Sequence, residues 1–196
     1  FFTTPRNGSL YVTSAMGVSI CKNSETLQVL NLKYCSVNVP NNVFQSIIKC
    51  CQELKELTFV NQHKLLHDLE FLAKNISPNV IKLNLSYTDV DDDNVKMLLS
   101  RCNKIKVLNL EATLITEDSL KTMRQYLNLT LEELSLTYNV NILELKSMAR
   151  LKILNLHWHP GQRFNMDWHC EKVDDSQIKN QRQHLPHLTI RTFFDY

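Results

Sequence analysis

Apolar residues recur along the chain in the arrangement Leu-x-x-Leu-x-Leu. The six copies begin at Leu27, Leu54, Val80, Ile105, Leu131 and Leu151, at steps of 27, 26, 25, 26 and 20 residues. Within each copy apolar and polar residues alternate, which predicts a short strand with one buried face. Steps of about 20–29 residues are typical of stacked units that each supply one strand and one helix. We therefore expect a repeat protein whose units bury their apolar faces against one another.

The segments between the copies change to a helical spacing of apolar residues. Four helices are predicted by the groups Val43, Phe44, Ile47, Ile48 and Cys51; Leu69, Leu72, Ala73 and Ile76; Val95, Leu98, Leu99 and Cys102; and Leu120, Met123 and Leu127. Residues 91–94 (DDDN) and 116–119 (TEDS) predict two helix starts, because their side chains can accept from free backbone amides. The short step from Leu131 to Leu151 leaves little room for a full helix, so we expect a thinner helical layer there.

Together these patterns predict an α/β fold, a curved leucine-rich-repeat solenoid of the ribonuclease-inhibitor type. Its parallel sheet is expected on the concave face and its helices on the convex face. We divide the chain into a partial N-terminal repeat (1–26, with Val18 and Ile20 among its apolar contacts), regular repeats (27–159), an inserted loop (160–172), and a terminal helix with a closing strand (173–196). A weaker seventh copy, beginning at Leu185, supplies that strand, expected at Leu188, Thr189 and Ile190. Because the chain opens on Phe1 without a signal-peptide pattern, we expect an internal fragment.

Composition narrows the function further. The net charge is only +2, from 22 basic and 20 acidic residues, which argues against a general nucleic-acid or membrane-surface protein. No apolar run approaches the roughly 18 residues that a membrane span needs. The chain has three Gly and no phosphate-loop, G-x-S-x-G or H-E-x-x-H motif. We expect no enzyme activity, no catalytic residue and no cofactor.

Six cysteines bear on the cellular compartment. Cys51 and Cys102 occupy equivalent points before two repeats, and Cys35 lies where such repeats take Asn or Cys at the end of the strand. We interpret them as small buried apolar residues in a reducing compartment, the nucleus or the cytoplasm. The chain has four Asn-x-Ser/Thr sequons where chance predicts about two and a half from the composition; this excess is unremarkable, and we discount glycosylation.

Two groups resemble metal sites but are better explained otherwise. His157, His159, His169 and Cys170 lack a typical zinc spacing, and the last two fall in the irregular insert. Asp89, Asp91 and Asp93 lack the central Gly and the final Glu of a calcium loop, and they suit a helix start. We predict no metal site.

Candidate binding residues lie between and just after the buried leucines. Counted from the first residue of each copy, offsets +2, +4 and +6 are expected on the concave face, and offset +7 at its rim. The residues that we select on this face and rim are Tyr34, Glu56, Lys82, Tyr87, Glu111, Tyr138, His157 and Trp158. Aromatic rim residues can anchor a partner protein, but they can equally pack one repeat on the next. The Asn-rich +4 row is interpreted first as ordinary repeat composition. The mixture of charges and apolar residues favours a protein or peptide partner.

The repeats are of the cysteine-containing type. Three segments show this repeat type: LQVLNLKYC (27–35), VKMLLSRCNKIKVL (95–108) and TLITEDSLKTM (113–123). The chain resembles the F-box/leucine-rich-repeat family, well over residues 27–159 and more loosely over 173–196. That resemblance implies the substrate-recognition module of an SCF-type (cullin-RING) E3 ubiquitin ligase. Its partners are then a protein substrate, alone or with an accessory protein, and an adaptor and a cullin that bind through an F-box missing from residues 1–196. The resemblance assigns no individual binding residue, and it implies neither nucleic acid nor membrane as a partner.

Two alternatives remain. One is a non-ligase leucine-rich-repeat scaffold or inhibitor that binds another protein. The other is a secreted or receptor-type repeat domain, which free thiols on all six cysteines would exclude.

Overall fold

The computed structural model describes residues 2–3, 13–33, 41–60, 66–137, 141–158 and 175–194. These residues form an α/β structure with one parallel sheet, whose eight strands lie side by side in chain order. The strands are β1 (Phe2–Thr3), β2 (Val29–Asn31), β3 (Glu56–Thr58), β4 (Lys82–Asn84), β5 (Val107–Asn109), β6 (Glu133–Thr137), β7 (Ile153–Trp158) and β8 (Thr189–Phe194). The helices are α1 (Ser14–Lys22), α2 (Asn41–Cys50), α3 (Leu66–Asn75), α4 (Asp92–Arg101), α5 (Glu117–Leu127) and α6 (Asp175–His184), with a 3-10 helix at Ile142–Ser147.

The apolar positions of the six Leu-x-x-Leu-x-Leu copies form the core of this structure. Leu30 and Leu32 of the first copy are fully buried, and so are Leu154 and Leu156 of the last. They share one continuous cluster with the apolar faces of the helices, such as Ile47 of α2. The helices therefore cover one face of the sheet. We call the other face, which carries offsets +2, +4 and +6, the open face.

The register of the strands confirms the predicted rows. At offset +2, Val29 pairs with Glu56, and the row continues through Lys82, Val107, Glu133 and Ile153. At offset +4 the row runs Asn31, Thr58, Asn84, Asn109, Ser135 and Asn155. Between β6 and β7 the pairing extends to Thr137 and His157 at offset +6. Residues in the same row lie on neighbouring strands and can touch.

The helix starts predicted from 91–94 and 116–119 are confirmed. Asp91 accepts from Asn94 N at 2.9 Å, and the Asn94 side chain returns a bond to Asp91 N, which forms a capping box. Thr116 caps α5 by accepting from Asp118 N. Asp92 adds a link that the sequence did not reveal, because its carboxylate accepts from Thr116 N at 2.9 Å, Thr116 Oγ1 at 2.6 Å and Ser119 N at 3.1 Å. One repeat thus caps the helix of the next.

The helical layer thins where the repeat step is short, as predicted. Between β6 and β7 the connection is the six-residue 3-10 helix Ile142–Ser147 instead of an α-helix. The strands lengthen at the same end: β2 to β5 have three residues each, β6 has five, and β7 and β8 have six. The sheet is therefore wider along the strand direction at its C-terminal end.

The N-terminal unit packs through a close approach of α1 and α2. A Cβ on Gly17 would lie 2.5 Å from Val43 Cγ1, so any larger residue here would force the Val43 side chain to move. Ile20 is buried as expected. The expectation for Val18 was wrong, because 56% of it is exposed on the outer side of the helix.

The cysteine interpretation is confirmed in part and corrected in part. Cys51 and Cys102 are buried free thiols, and burial raises the pKa of Cys51 to about 11 and that of Cys102 to about 12. Such thiols are unreactive at neutral pH. Cys21 of α1 and Cys50 of α2, by contrast, form a disulfide, with their Cα atoms 5.7 Å apart. This disulfide was not predicted from the sequence, because the two cysteines lie 29 residues apart and meet only when the helices stack.

The C-terminal unit has the predicted helix, α6, and a closing strand in a shifted register. Ile190, instead of Leu188, pairs with Leu154, so that β8 begins at Thr189 and runs to Phe194. Leu185 and Leu188, which precede the strand in the chain, are still buried. The insert 160–172, with His159, His169 and Cys170, lies outside the described residues.

Candidate protein-binding face

Two of the selected residues, Glu56 and Lys82, form an ion pair across β3 and β4. They are direct neighbours in the +2 row, and Lys82 Nζ lies 2.8 Å from Glu56 Oε1. The side chains are 36% and 51% exposed, so that water screens their attraction. An exposed pair of this kind contributes about 0–1 kcal/mol to stability. Its larger effect is to neutralise the open face at this point.

Two other selected residues, Tyr87 and His157, converge on the carboxylate of a third, Glu111. The hydroxyl of Tyr87 donates to Glu111 Oε1 at 3.1 Å, and His157 Nδ1 lies 3.3 Å from the same oxygen. The polar side chain of Glu111 is buried on the open face. Two polar partners from two other repeats therefore offset the cost of burying it. The sequence predicted each residue singly, and the structure brings them together.

Tyr87 also has an unusual backbone. Its φ is 60°, and Ala112, at the same +7 offset one repeat later, has a φ of 51°. This left-handed region is costly for residues other than glycine. Each backbone amide bonds to the next repeat, Tyr87 N to Glu111 O at 2.8 Å and Ala112 N to Thr137 Oγ1 at 2.6 Å. The +7 position thus links one repeat to the next, which supports the packing interpretation for Tyr87.

The Asn side chains of the +4 row have a structural role in the regular repeats. Asn31, Asn84 and Asn109 each accept a hydrogen bond from the backbone amide two residues later, at 2.9, 3.0 and 2.9 Å. Such local bonds satisfy the backbone where the strand ends. Two residues that we had not singled out act nearby, since the buried hydroxyls of Thr88 and Thr113 donate to the carbonyls of Leu85 and Leu110. Their +8 offset, shared with Cys35, was the available signal.

Asn155 departs from this pattern, which its offset did not predict. Its Nδ2 donates to Glu133 Oε1 at 3.1 Å and to Ser135 Oγ at 3.1 Å. The side chain thus bridges to the neighbouring strand β6 instead of bonding to its own backbone. Ser135 and Asn155 are both buried on the open face. The only sequence signal was the short repeat step that precedes β7.

The remaining selected residues cannot be placed as side chains. Tyr34 and Tyr138 lie outside the described residues, and Trp158 ends β7 with its backbone paired to Phe194 while its side chain is not described. No group of three or more His, Cys, Asp or Glu side chains in the described ranges is arranged to hold a metal ion. Within the same ranges, no helix has the length and apolar character to cross a membrane.

The chain is similar in fold to a known structure but matches no characterised sequence family. No family model matches the chain, and no curated protein matches it. Among solved structures, it is similar to one described as Leiomodin-1 Actin-Binding Site 2 (ABS2). The two share 17% sequence identity at a TM-score of 0.52, over 77% of this chain and 90% of that chain. At this identity the similarity supports the fold alone, an α/β arrangement of the leucine-rich-repeat kind.

Proposed function

We propose that the chain is a leucine-rich-repeat solenoid that binds a protein on its open face, which is the concave one. The observation that carries this proposal is the open face itself, where charged, polar and apolar residues of successive strands lie in register. A parallel sheet with helices on one face leaves the other available for a partner. Repeat proteins commonly use such extended surfaces for binding.

Within that role, we propose substrate recognition for an SCF-type ubiquitin ligase. The support is the cysteine-containing repeat pattern and its resemblance to the F-box/leucine-rich-repeat family. The chain then grips its substrate, alone or with an accessory protein, and the separate ligase machinery performs the ubiquitin transfer. We assign contact roles to Glu56, Lys82, Tyr87, Glu111 and His157, and to Tyr34, Tyr138 and Trp158 at the rim.

Co-purification tests the ligase role. The full-length protein, tagged and expressed in cells, is expected to retain the adaptor and a cullin, and deletion of its F-box is expected to release both. A matched control with Glu56→Gln on the open face is expected to retain them, because the adaptor binds elsewhere. Full-length protein that retains neither partner contradicts the ligase role and leaves the protein-binding role intact.

The alternative is a non-ligase scaffold or inhibitor. It is favoured by the similar solved structure, which is described as an actin-binding site. Co-sedimentation of the 196-residue chain with actin filaments, together with a polymerisation assay, tests one form of this alternative. Saturable binding that Glu111→Gln weakens and Glu70→Gln on α3 leaves unchanged supports a scaffold that uses the open face.

The proposed compartment, the nucleus or the cytoplasm, also needs a direct test. The disulfide between Cys21 and Cys50 is a feature of oxidising compartments and favours the secreted alternative. Thiol alkylation and mass spectrometry on protein taken directly from cells distinguish the two. A reducing compartment predicts alkylation of both cysteines, whereas an intact Cys21–Cys50 bond supports secretion.

A further inference from the structure

The N-terminal unit is attached to the neighbouring repeat by few apolar contacts. In α1, whose residues are all described, only Ile20 contributes a buried apolar side chain to the core. In α5, by contrast, Leu120, Met123 and Leu127 do so. The described pairing of β1 with β2 covers two residues, whereas β2 and β3 pair over three. Packing therefore holds the described part of this unit less firmly than it holds a regular repeat.

A covalent bond reinforces this junction on a partly exposed surface. Cys21 lies near the end of α1, and its disulfide to Cys50 ties that helix to the end of α2. Both cysteines are only partly buried, whereas Cys51 and Cys102 are fully buried. Exchange of a disulfide with a dissolved thiol requires that thiol to reach one of the two sulfurs. The partial exposure of both residues leaves the Cys21–Cys50 bond open to such exchange.

The surroundings of the two sulfurs also suit the reduced state. Cys21 Sγ lies 3.6 Å from the carbonyl oxygen of Ser46, and Cys50 Sγ lies 3.4 Å from the carbonyl oxygen of Ile47. After reduction, each thiol can therefore donate a weak hydrogen bond to an acceptor that is already in place. The two helices thus accommodate the dithiol as well as the disulfide.

The neighbouring thiol of Cys51 does not compete for this bond. Its Sγ lies 3.6 Å from Cys50 Sγ, but burial raises the pKa of Cys51 to about 11. Only a thiolate attacks a disulfide, so Cys51 stays inert at neutral pH. Exchange is therefore confined to Cys21, Cys50 and a thiol supplied from solution.

We propose that Cys21 and Cys50 form a reversible redox site that fastens α1 to α2 when it is oxidised and releases α1 when it is reduced. The co-reactant is a low-molecular-weight thiol of the glutathione class. Its thiolate attacks one sulfur of the bond and forms a mixed disulfide, and the other cysteine leaves as a thiolate and takes up a proton. A second glutathione resolves the mixed disulfide. Two glutathione thiols are thus oxidised to one glutathione disulfide for each protein disulfide reduced to two thiols.

This proposal is independent of the ligase role and of any partner on the open face. It is compatible with the nucleus or the cytoplasm, because transient, redox-sensing disulfides also form in reducing compartments.

Equilibration of the 196-residue chain in buffers with graded ratios of reduced to oxidised glutathione tests reversibility. The samples are quenched with acid, their thiols are alkylated in denaturant, and the labelled cysteines are identified by mass spectrometry. Cys21 and Cys50 are expected to convert together between disulfide and dithiol, and to return on reoxidation. Cys51 and Cys102 are expected to carry label at every ratio. A pair that stays in one state at every ratio, or that does not re-form its bond after reduction, overturns the proposal.

Hydrogen exchange of the same oxidised and reduced samples measures the release of α1. The amides of α1 are expected to exchange at least about tenfold faster in the reduced protein, and those of α4 to keep their rates. Cys21→Ser is the matched variant, and its α1 is expected to exchange fast with or without reductant. Equal α1 exchange in the two states of the wild type overturns the proposal. Acceleration that extends equally to α4 also overturns it, because the bond would then hold the whole fold.

Discussion

The regular repeats around β2 to β5 and the C-terminal end around β6 to β8 use the same core and different open faces. In the regular repeats the strands have three residues, and the Asn side chains bond to their own backbone. At the C-terminal end the strands have five or six residues, and Asn155 reaches across to Glu133 and Ser135. In the regular repeats the polar side chains thus satisfy the backbone at the end of the strand. At the C-terminal end they bond to side chains of the neighbouring strand.

This difference separates the positions that fix the core from the positions of the open face that can vary. The apolar residues at offsets +3 and +5 are buried from Leu30 to Leu156, whichever residues lie between them. Where the α-helix is replaced by the 3-10 helix Ile142–Ser147, the strands pair over a longer distance. Longer pairing brings offset +6 residues such as Thr137 and His157 into the sheet, and it creates room for the polar network.

The largest expected effect tests whether the two regions share one core. Leu57→Ala in β3 and Leu154→Ala in β7 each remove a fully buried side chain. Both are expected to lower the free energy of unfolding by about 2–5 kcal/mol, as measured by urea denaturation. A loss below about 1 kcal/mol for Leu154→Ala alone would show that the C-terminal end is not part of the common core.

A smaller effect distinguishes caps that link repeats from caps that act locally. Asp92→Ala removes bonds to both Thr116 and Ser119 of the next helix, and it is expected to cost about 2 kcal/mol. The side chain of Asn141 caps the 3-10 helix locally by accepting from Leu143 N at 3.1 Å. Asn141→Ala removes this cap and is expected to lower the free energy of unfolding by about 1 kcal/mol. Asp93→Ala, exposed in the same turn as Asp92, is the control with little effect. Equal costs for Asp92→Ala and Asp93→Ala would contradict the link.

The pH dependence of stability provides a second test of the same link. Burial, the largest influence on Asp92, raises its pKa, but hydrogen bonds from Ser119 and Thr116 outweigh it and leave the pKa below the ordinary 3.8. The contribution of the Asp92 carboxylate to stability is therefore complete above pH 3.8. It is lost as the pH falls through the lower pKa of the folded state. Wild type is expected to lose stability more steeply than Asp92→Asn between about pH 4 and pH 2. Parallel curves for the two proteins would refute this explanation.

The smallest expected effects are the coupling energies of two polar pairs on the open face, Tyr87 with Glu111 and Glu56 with Lys82. A double-mutant cycle with Tyr87→Phe and Glu111→Gln is expected to give a coupling energy of about 1 kcal/mol that changes little with salt, because Glu111 is buried. The cycle with Glu56→Gln and Lys82→Met is expected to give about 0.5 kcal/mol and to approach zero in 1 M NaCl. A stronger coupling for the exposed pair would contradict burial of Glu111 as the cause of the difference.

Much of the fold was predictable because the repeat imposes it locally. The strand rows, four helices, two N-caps and the thin layer after β6 all follow from the spacing of apolar and capping residues. The disulfide was not predictable, because Cys21 and Cys50 meet only through the stacking of α1 on α2. The register of β8 could not be predicted either, because Leu188 and Ile190 are both apolar and only the pairing with Leu154 separates them.

The candidate site was predictable as a face but not as a network. Offsets placed Glu111 and His157 on the open face, yet the contact between them spans β6, which no offset rule describes. Asn155 looked like any other Asn of the +4 row. Its bridging role depends on Glu133 of the neighbouring strand and on the longer β7, which are tertiary features.

Site-specific photo-crosslinking tests most directly whether partner binding is concentrated at the C-terminal end of the open face. Val29 of β2 and Ile153 of β7 are matched positions, since both are apolar, partly exposed and in the +2 row. With p-benzoylphenylalanine at either position of the full-length protein in cells, our account predicts a defined partner adduct that is stronger from position 153 than from position 29. A partner adduct from position 29, with none from position 153, would contradict the account.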